Sequence, residues 1–217
     1  VYERDYSPSD VTAMRKLVKN NLVSVFNRVY DQTRMSPVGG LMGYGSLYRN
    51  YNALCANNIF TDDNTLDYVA KYFATLVDDT VGKQKIDYYS AANDLFRNGN
   101  YYTGNYEGAF SYYIPAQNAT ILYFGPSSYS SAFTFVHEFG HYYNNIYNGN
   151  ISLSMDHDET QSQGDEMLFL AFLKDYLGSS QSKLYSLVSS NQLVNMLATL
   201  LMSSAVDEFE QTVYKMT

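Results

Sequence analysis

The apolar positions near the N-terminus recur at the three- and four-residue steps of an α-helix. We expect this helix to begin at Ser7-Pro8-Ser9-Asp10, because Ser caps helices well, Pro fits the first helical position and Asp follows three residues after the cap. It is expected to end near Ser36-Pro37, and the glycine-rich stretch 38–58 is expected to be a loop or a broken helical segment. The apolar face of the helix consists of Val11, Met14, Val18, Leu22, Val25 and Val29.

A second helix is predicted to follow the cap Thr61-Asp62-Asp63 and to end before Gly82. A short helical segment is expected over 87–96, and the run Arg97-Asn98-Gly99-Asn100 predicts a turn after it. The inner face of the second helix would carry Leu66, Val69, Ala70, Phe73, Leu76 and Val77.

Two short segments have the composition of strands rather than helices. Residues 109–114 and 120–124 are rich in β-branched and aromatic side chains, and a turn at Pro115-Ala116-Gln117-Asn118 separates them. They predict a small sheet. Gly125-Pro126-Ser127-Ser128 is expected to end the second strand and to cap a helix over about 128–148.

The last third of the chain is predicted to be helical, over about 159–177 and 181–216, with a break at Ser189-Ser190-Asn191. Together with the helices expected over 1–100, this pattern predicts a mainly α fold with one small sheet. No repeat or linker interrupts it, so the simplest organisation is a single domain spanning 1–217.

Charge and hydropathy exclude several classes of partner. The 217 residues contain 14 Lys and Arg against 22 Asp and Glu, a net charge of -8. Neither nucleic acid nor an anionic membrane surface is an expected partner, because both require a basic surface. No apolar run approaches the roughly 20 residues that cross a bilayer. The N-terminus shows no signal peptide, so a cytoplasmic location is expected, although the chain looks cut from a longer one.

The residues able to bind a metal are few and clustered. Cys55 is the only cysteine, so an intrachain disulfide and a cysteine-based zinc site are both excluded. The only histidines, His137, His141 and His157, fall within 21 residues of one another. Any transition-metal site would therefore combine imidazole with carboxylate ligands.

The run His137-Glu138-Phe139-Gly140-His141 is an H-E-x-x-H motif inside a predicted helix. Residues four apart lie on one helix face, so both imidazoles can bind one Zn²⁺. Glu138 is then placed to act as a general base toward metal-bound water. The alternative is two satisfied core histidines. Chance disfavours it, since this composition yields the motif about once in a thousand chains.

A catalytic zinc site also needs a third protein ligand. Tyr147 stands where a third histidine would follow in one motif variant, so downstream carboxylates are the candidates. Glu159 is favoured as the ligand, and Glu166, two turns further on, as an outer acceptor for an imidazole N–H. The alternative, an acidic helix N-terminus, explains Asp156 and Asp158 but not Glu166. His157 is interpreted as an exposed or pocket-rim histidine.

These motifs resemble the thimet oligopeptidase and oligoendopeptidase F family of zinc peptidases. The similarity rests on H-E-F-G-H, on Glu159 with Ser162 and Glu166 at plus three and plus seven, and on three shorter segments. These segments are Gly108-Ala109-Phe110-Ser111, Phe133-Thr134 and Asp207-Glu208-Phe209-Glu210. The resemblance covers about 108–214, half of the chain.

The resemblance implies a zincin-like helical metallopeptidase core with one Zn²⁺ held by His137, His141 and Glu159. Glu138 would be the general base, with Glu166 in support. The implied activity is a zinc-dependent endopeptidase, an oligopeptidase that hydrolyses short peptides by metal-activated water. The strand 109–114 would lie at the cleft edge and pair with the substrate backbone.

The chain also departs from the family. Members are much longer, and their His and Tyr donors to the oxyanion lie beyond the point that corresponds to Thr217. The chain is therefore interpreted as a core fragment of a catalytic domain. The alternative function is a catalytically silent or incomplete zinc-binding helical domain with a structural or interaction role. A helical protein without metal is a third possibility.

Overall fold

The computed structural model describes residues 6–33, 60, 64–76, 79–81, 84–86, 90–91, 95, 101–125, 132–147 and 155–215. Within these residues the chain is mainly helical, as predicted. The helices are α1 (Pro8–Thr33), α2 (Thr65–Phe73), α3 (Ala132–Tyr147), α4 (Met155–Leu177) and α5 (Ser182–Tyr214). The strands are β1 (Asp79–Val81), β2 (Gln84–Ile86), β3 (Tyr101–Thr103), β4 (Ala109–Ile114) and β5 (Ala119–Phe124).

The chain groups into two compact units, one formed by 1–59 and 179–217 and the other by 60–178. The prediction of one domain over 1–217 stays a prediction. In the first unit, α1 packs along α5 around the buried Val18. Arg15 Nη1 lies 2.6 Å from Asp207 Oδ2, so the first residue of the acidic segment 207–210 forms an ion pair between these helices.

The start of α1 forms as the sequence predicts. The Ser7 backbone N–H donates to Asp10 Oδ2 at 2.8 Å, and the Asp10 N–H donates to Ser7 Oγ at 3.3 Å. This reciprocal pair satisfies two N–H groups that a helix start leaves without intrahelical partners. The predicted end near Ser36-Pro37, the stretch 38–58 and the caps at 61–63 and 126–128 lie outside the described residues.

The predicted extent of the second helix is wrong. α2 ends at Phe73, and an antiparallel hairpin of β1 and β2 follows where helix was expected up to Gly82. The Thr75 hydroxyl donates to the Tyr72 carbonyl at 2.6 Å. The Thr75 and Leu76 N–H groups donate to the carbonyls of Tyr72 and Phe73, three residues earlier rather than the four of an α-helix. Local hydrogen bonds of this kind compete with a continued helix, and the β-branched Thr80 and Val81 favour a strand.

The break predicted at Ser189-Ser190-Asn191 is also wrong, because α5 runs through it. The Ser189 hydroxyl donates to the Ser186 carbonyl at 3.2 Å, so the serine is accommodated inside the helix. Val188 and Gln192 are buried on either side. Two serines cost only a few tenths of a kcal/mol each in a helix, which packing readily offsets.

The second unit places a three-stranded sheet against α3. β4 and β5 pair antiparallel in the predicted positions, with Ser111 opposite Leu122. The sequence did not predict β3, which pairs parallel with β5 on its other side. Leu122 and Phe124 are fully buried, and the Phe124 ring stacks on Phe135 of α3 at 4.4 Å.

α4 packs along the opposite side of α3 and begins at Met155, four residues earlier than predicted. The buried Phe169 and Leu173 lie on its inner face. The aromatic cluster continues to α2, where the Phe73 ring lies 4.4 Å from Phe139. α3 is thus held between the sheet, α2 and α4, which fixes the helix that carries the H-E-x-x-H motif.

Among the described helices, none combines the length and the apolar character needed to cross a membrane.

Candidate metal centre

α3 brings the two histidines of the motif together. His137 and His141 are one turn apart, and their Nε2 atoms lie 3.2 Å from each other. The ring planes are inclined at 79°. Both nitrogens therefore face one point beside the helix, as the four-residue spacing predicted.

Glu159 reaches the same point from α4. Its Oε2 lies 3.4 Å from His137 Nε2, and its Oε1 lies 3.6 Å from His141 Nε2. Ligands that bind Zn²⁺ tetrahedrally at about 2.0–2.1 Å stand about 3.3–3.4 Å apart, close to all three separations. His137, His141 and Glu159 could therefore hold one metal ion, with one ligand atom from each.

Glu166 lies behind His137, on the side away from Glu159. Its Oε1 is 2.7 Å from His137 Nδ1. An ionised carboxylate can only accept a hydrogen bond, so the proton of a neutral imidazole sits on Nδ1 and the Nε2 lone pair stays free. A carboxylate behind a ligating histidine is the usual outer support of a zinc ligand.

Glu138 is a buried carboxylate next to the first histidine. The residue is 8% exposed, and it accepts a hydrogen bond from the Ser111 backbone N–H of β4. Burial raises its pKa to about 7, with a further increase from Glu159 that His137 and the Ser111 N–H oppose. A carboxylate with a pKa near neutrality can both accept and release a proton at physiological pH.

The pKa values of the two histidines shift in opposite directions. Burial lowers the pKa of His137, but the hydrogen bond and charge of Glu166, together with Glu138 and Glu159, outweigh it, so the net shift is upward. Burial lowers the pKa of His141, and the neighbouring His137 lowers it further. Three carboxylates around two imidazoles leave an excess of negative charge, which a divalent cation would neutralise.

The three candidate ligands lie on two helices, α3 and α4, that pack closely and antiparallel. A Cβ atom added at Gly140 would lie 2.6 Å from Asp165 Oδ2 and 3.0 Å from Ser162 Cα. At these distances a side chain at this position would require Asp165 and the backbone at Ser162 to shift. Gly140 thus allows the approach that carries Glu159 to the histidines.

The sequence missed two further contacts around this site. Asn144 of α3 donates from Nδ2 to Asp158 Oδ1 at 2.5 Å, so the Asp158 carboxylate is hydrogen-bonded as well as placed at a helix N-terminus. Asn145 Nδ2 donates to Ser111 Oγ on β4 at 3.4 Å. An Asn one turn after a predicted ligand does not by itself predict these contacts, because the sequence does not show which element packs against it. The side chain of His157 lies outside the described residues.

Comparison of the chain with models of protein families, with curated proteins and with solved structures found no match.

Proposed function

We propose that this chain carries the zinc site of an endopeptidase that acts on short peptides. The observation that carries the proposal is the convergence of His137, His141 and Glu159 on one point, with the buried carboxylate of Glu138 adjacent in the chain. The resemblance of the motifs to thimet oligopeptidase and oligoendopeptidase F supports the same activity. The family assignment and the zincin-like fold are part of this proposal.

Zinc is the metal that the donor set favours. Two imidazoles and one carboxylate form the His₂Glu ligand set of one class of catalytic zinc sites, which keep a fourth position open. Calcium and magnesium prefer sites built wholly from oxygen ligands. When bound, Zn²⁺ would lower the pKa of a water molecule and polarise a peptide carbonyl.

The protein residues would divide the remaining work. Glu138 would take a proton at its carboxylate and pass it to the amine of the departing peptide. The Ser111 N–H fixes one side of that carboxylate, which limits its rotation. Glu166 would hold the proton of His137 on Nδ1 and keep Nε2 available to the metal.

The edge of the sheet offers a place for the substrate backbone. β4 lies at one edge of the β3–β5–β4 sheet and, within the described residues, pairs only with β5. Its Ser111 contacts both Glu138 and Asn145, so this strand runs beside the metal centre. An extended peptide could add to such an edge through main-chain hydrogen bonds.

The direct test measures zinc content and peptide cleavage on the same preparations. We expect one zinc per chain and cleavage of an internally quenched fluorescent peptide. Glu138→Gln should keep the zinc and lower turnover by about 10²–10⁴-fold. Glu210→Gln is a matched control, because it removes a carboxylate from an exposed position on α5 and should change neither quantity.

The alternative functions correspond to different results. Zinc binding without any Glu138-dependent turnover would refute peptidase activity in this chain and leave a zinc-binding domain with a structural or interaction role. No zinc, and no change in stability on adding a chelator, would refute the metal site itself.

A further inference from the structure

A partly buried hydrogen bond joins α3 to the first turns of α4 beside the proposed ligands. Asn144 is 6% exposed and lies one turn beyond His141. Its amide donates to Asp158, the residue immediately before Glu159. A buried amide contributes to structure only when it is satisfied, and here the partner is a carboxylate next to a metal ligand.

Glu159 is the least enclosed of the three proposed ligands. Its side chain is 44% exposed, against 20% for His137 and 18% for His141. The Ser162 hydroxyl donates to it, but Ser162 belongs to the same helix, so this contact does not tie Glu159 to α3. The position of Glu159 therefore depends on where the first turns of α4 are held.

Three contacts are spread along the antiparallel helices. His137 meets Glu166 at one end, Gly140 approaches Ser162 in the middle, and Asn144 meets Asp158 at the other end. Glu159 lies between the second and third contacts. Without the third, the first turns of α4 would lose one of the contacts that hold them to α3.

We propose that Asn144 is a positioning residue for the metal ligand Glu159, acting through its hydrogen bond to Asp158. The proposal rests on the metal site described above. By fixing Asp158, Asn144 holds the adjacent backbone of α4 at the distance from which Glu159 reaches both histidines.

The test is titration of the full chain with Zn²⁺ and with Co²⁺, whose visible absorption reports the ligand geometry. Asn144→Ala should weaken metal binding about tenfold and shift the Co²⁺ spectrum. Asn144→Asp should weaken it further, since two carboxylates would face each other. Adding Asp158→Asn to Asn144→Asp restores a donor and an acceptor, and should bring the affinity back to within about threefold of wild type.

Asn145→Ala is the matched control, because Asn145 is the next residue on α3 but contacts β4 rather than α4. It should leave metal affinity unchanged. If Asn144→Ala lowers the melting temperature but leaves the affinity and the Co²⁺ spectrum of wild type, the positioning role is refuted. If Asn144→Asp does not fold, Asn144→Ala alone decides. A wild-type chain that binds no metal refutes the metal site instead, so the two failures are distinguishable.

Discussion

Replacing Gly140 with Ala tests whether the metal centre depends on the close packing of α3 and α4. The new Cβ would lie 2.6 Å from Asp165 Oδ2 and 3.0 Å from Ser162 Cα. The carboxylate can rotate away, although Asp165 is buried and would lose its present position. The backbone of Ser162 cannot rotate, so α4 must move away by a few tenths of an ångström.

The magnitude follows from two opposing terms. Ala is favoured over Gly inside a helix by about 1 kcal/mol. Overpacking a tight contact costs about 1–3 kcal/mol, so Gly140→Ala should lower the free energy of unfolding by about 1 kcal/mol. The substitution should weaken zinc binding more than it lowers the free energy of unfolding. Moving α4 lengthens the 3.4 and 3.6 Å separations between Glu159 and the histidines, whereas ligand distances tolerate only about 0.2 Å.

The assay combines chemical denaturation of the metal-free protein with Zn²⁺ titration of the folded protein. Gly140→Ala should be less stable than wild type and bind zinc at least about tenfold more weakly. Gly164→Ala is the matched control on α4, because no heavy atom lies within 4 Å of the Cβ it would add. That variant should gain up to about 1 kcal/mol and bind zinc as wild type does.

The reasoning would be refuted if the two substitutions behaved alike. If Gly140→Ala gains stability as Gly164→Ala does and keeps its zinc affinity, α3 and α4 do not approach as closely as described. A loss of stability without a loss of affinity would show that the packing is tight but does not position Glu159.

Three further predictions concern the charged groups of the site. Folding of the metal-free protein raises the Glu138 pKa from 4.5 to about 7, so ionising Glu138 lowers the free energy of unfolding as pH rises through this range. Glu138→Gln should therefore be more stable than wild type at pH 8, by up to about 3 kcal/mol. Denaturation at pH 4 should show no such gap; a gap independent of pH would contradict the shift. Glu166→Gln should weaken zinc binding about 10–100-fold in a competitive titration, since the support of His137 changes, and unchanged affinity would refute that role. A chelator should lower the melting temperature of wild type but not of His141→Ala, in which one ligand is missing, and equal shifts would exclude binding through His141.

The local sequence contained enough information for the ligand helix. His137 and His141 are four residues apart, and any helix through them puts both on one face. The strands around Ser111 and Leu122 were likewise visible, because β-branched and aromatic runs on either side of a turn have few other solutions. The short parallel strand at Tyr101–Thr103 was not, since its pairing partner lies about 20 residues away and its composition is shared with many loops.

The errors came from local signals that packing or competing hydrogen bonds outweighed. Helix periodicity suggested that α2 would continue past Phe73, but hydrogen bonds at Thr75 and the following hairpin end it. Ser189 and Ser190 looked like a break, yet the neighbouring Val188 and Gln192 are buried and the helix continues. Propensity differences of a few tenths of a kcal/mol decide neither case.

The sequence by itself determined the chemistry available to this protein: two imidazoles one turn apart, a carboxylate beside the first, and candidate carboxylates downstream. Only the tertiary structure decided how they meet. Glu159 and Glu166 are on a different helix from His137, and no local pattern sets the distance between two helices. The two helices meet where Gly140 approaches Ser162 and where Asn144 donates to Asp158, which are contacts between residues 22 and 14 positions apart in the chain.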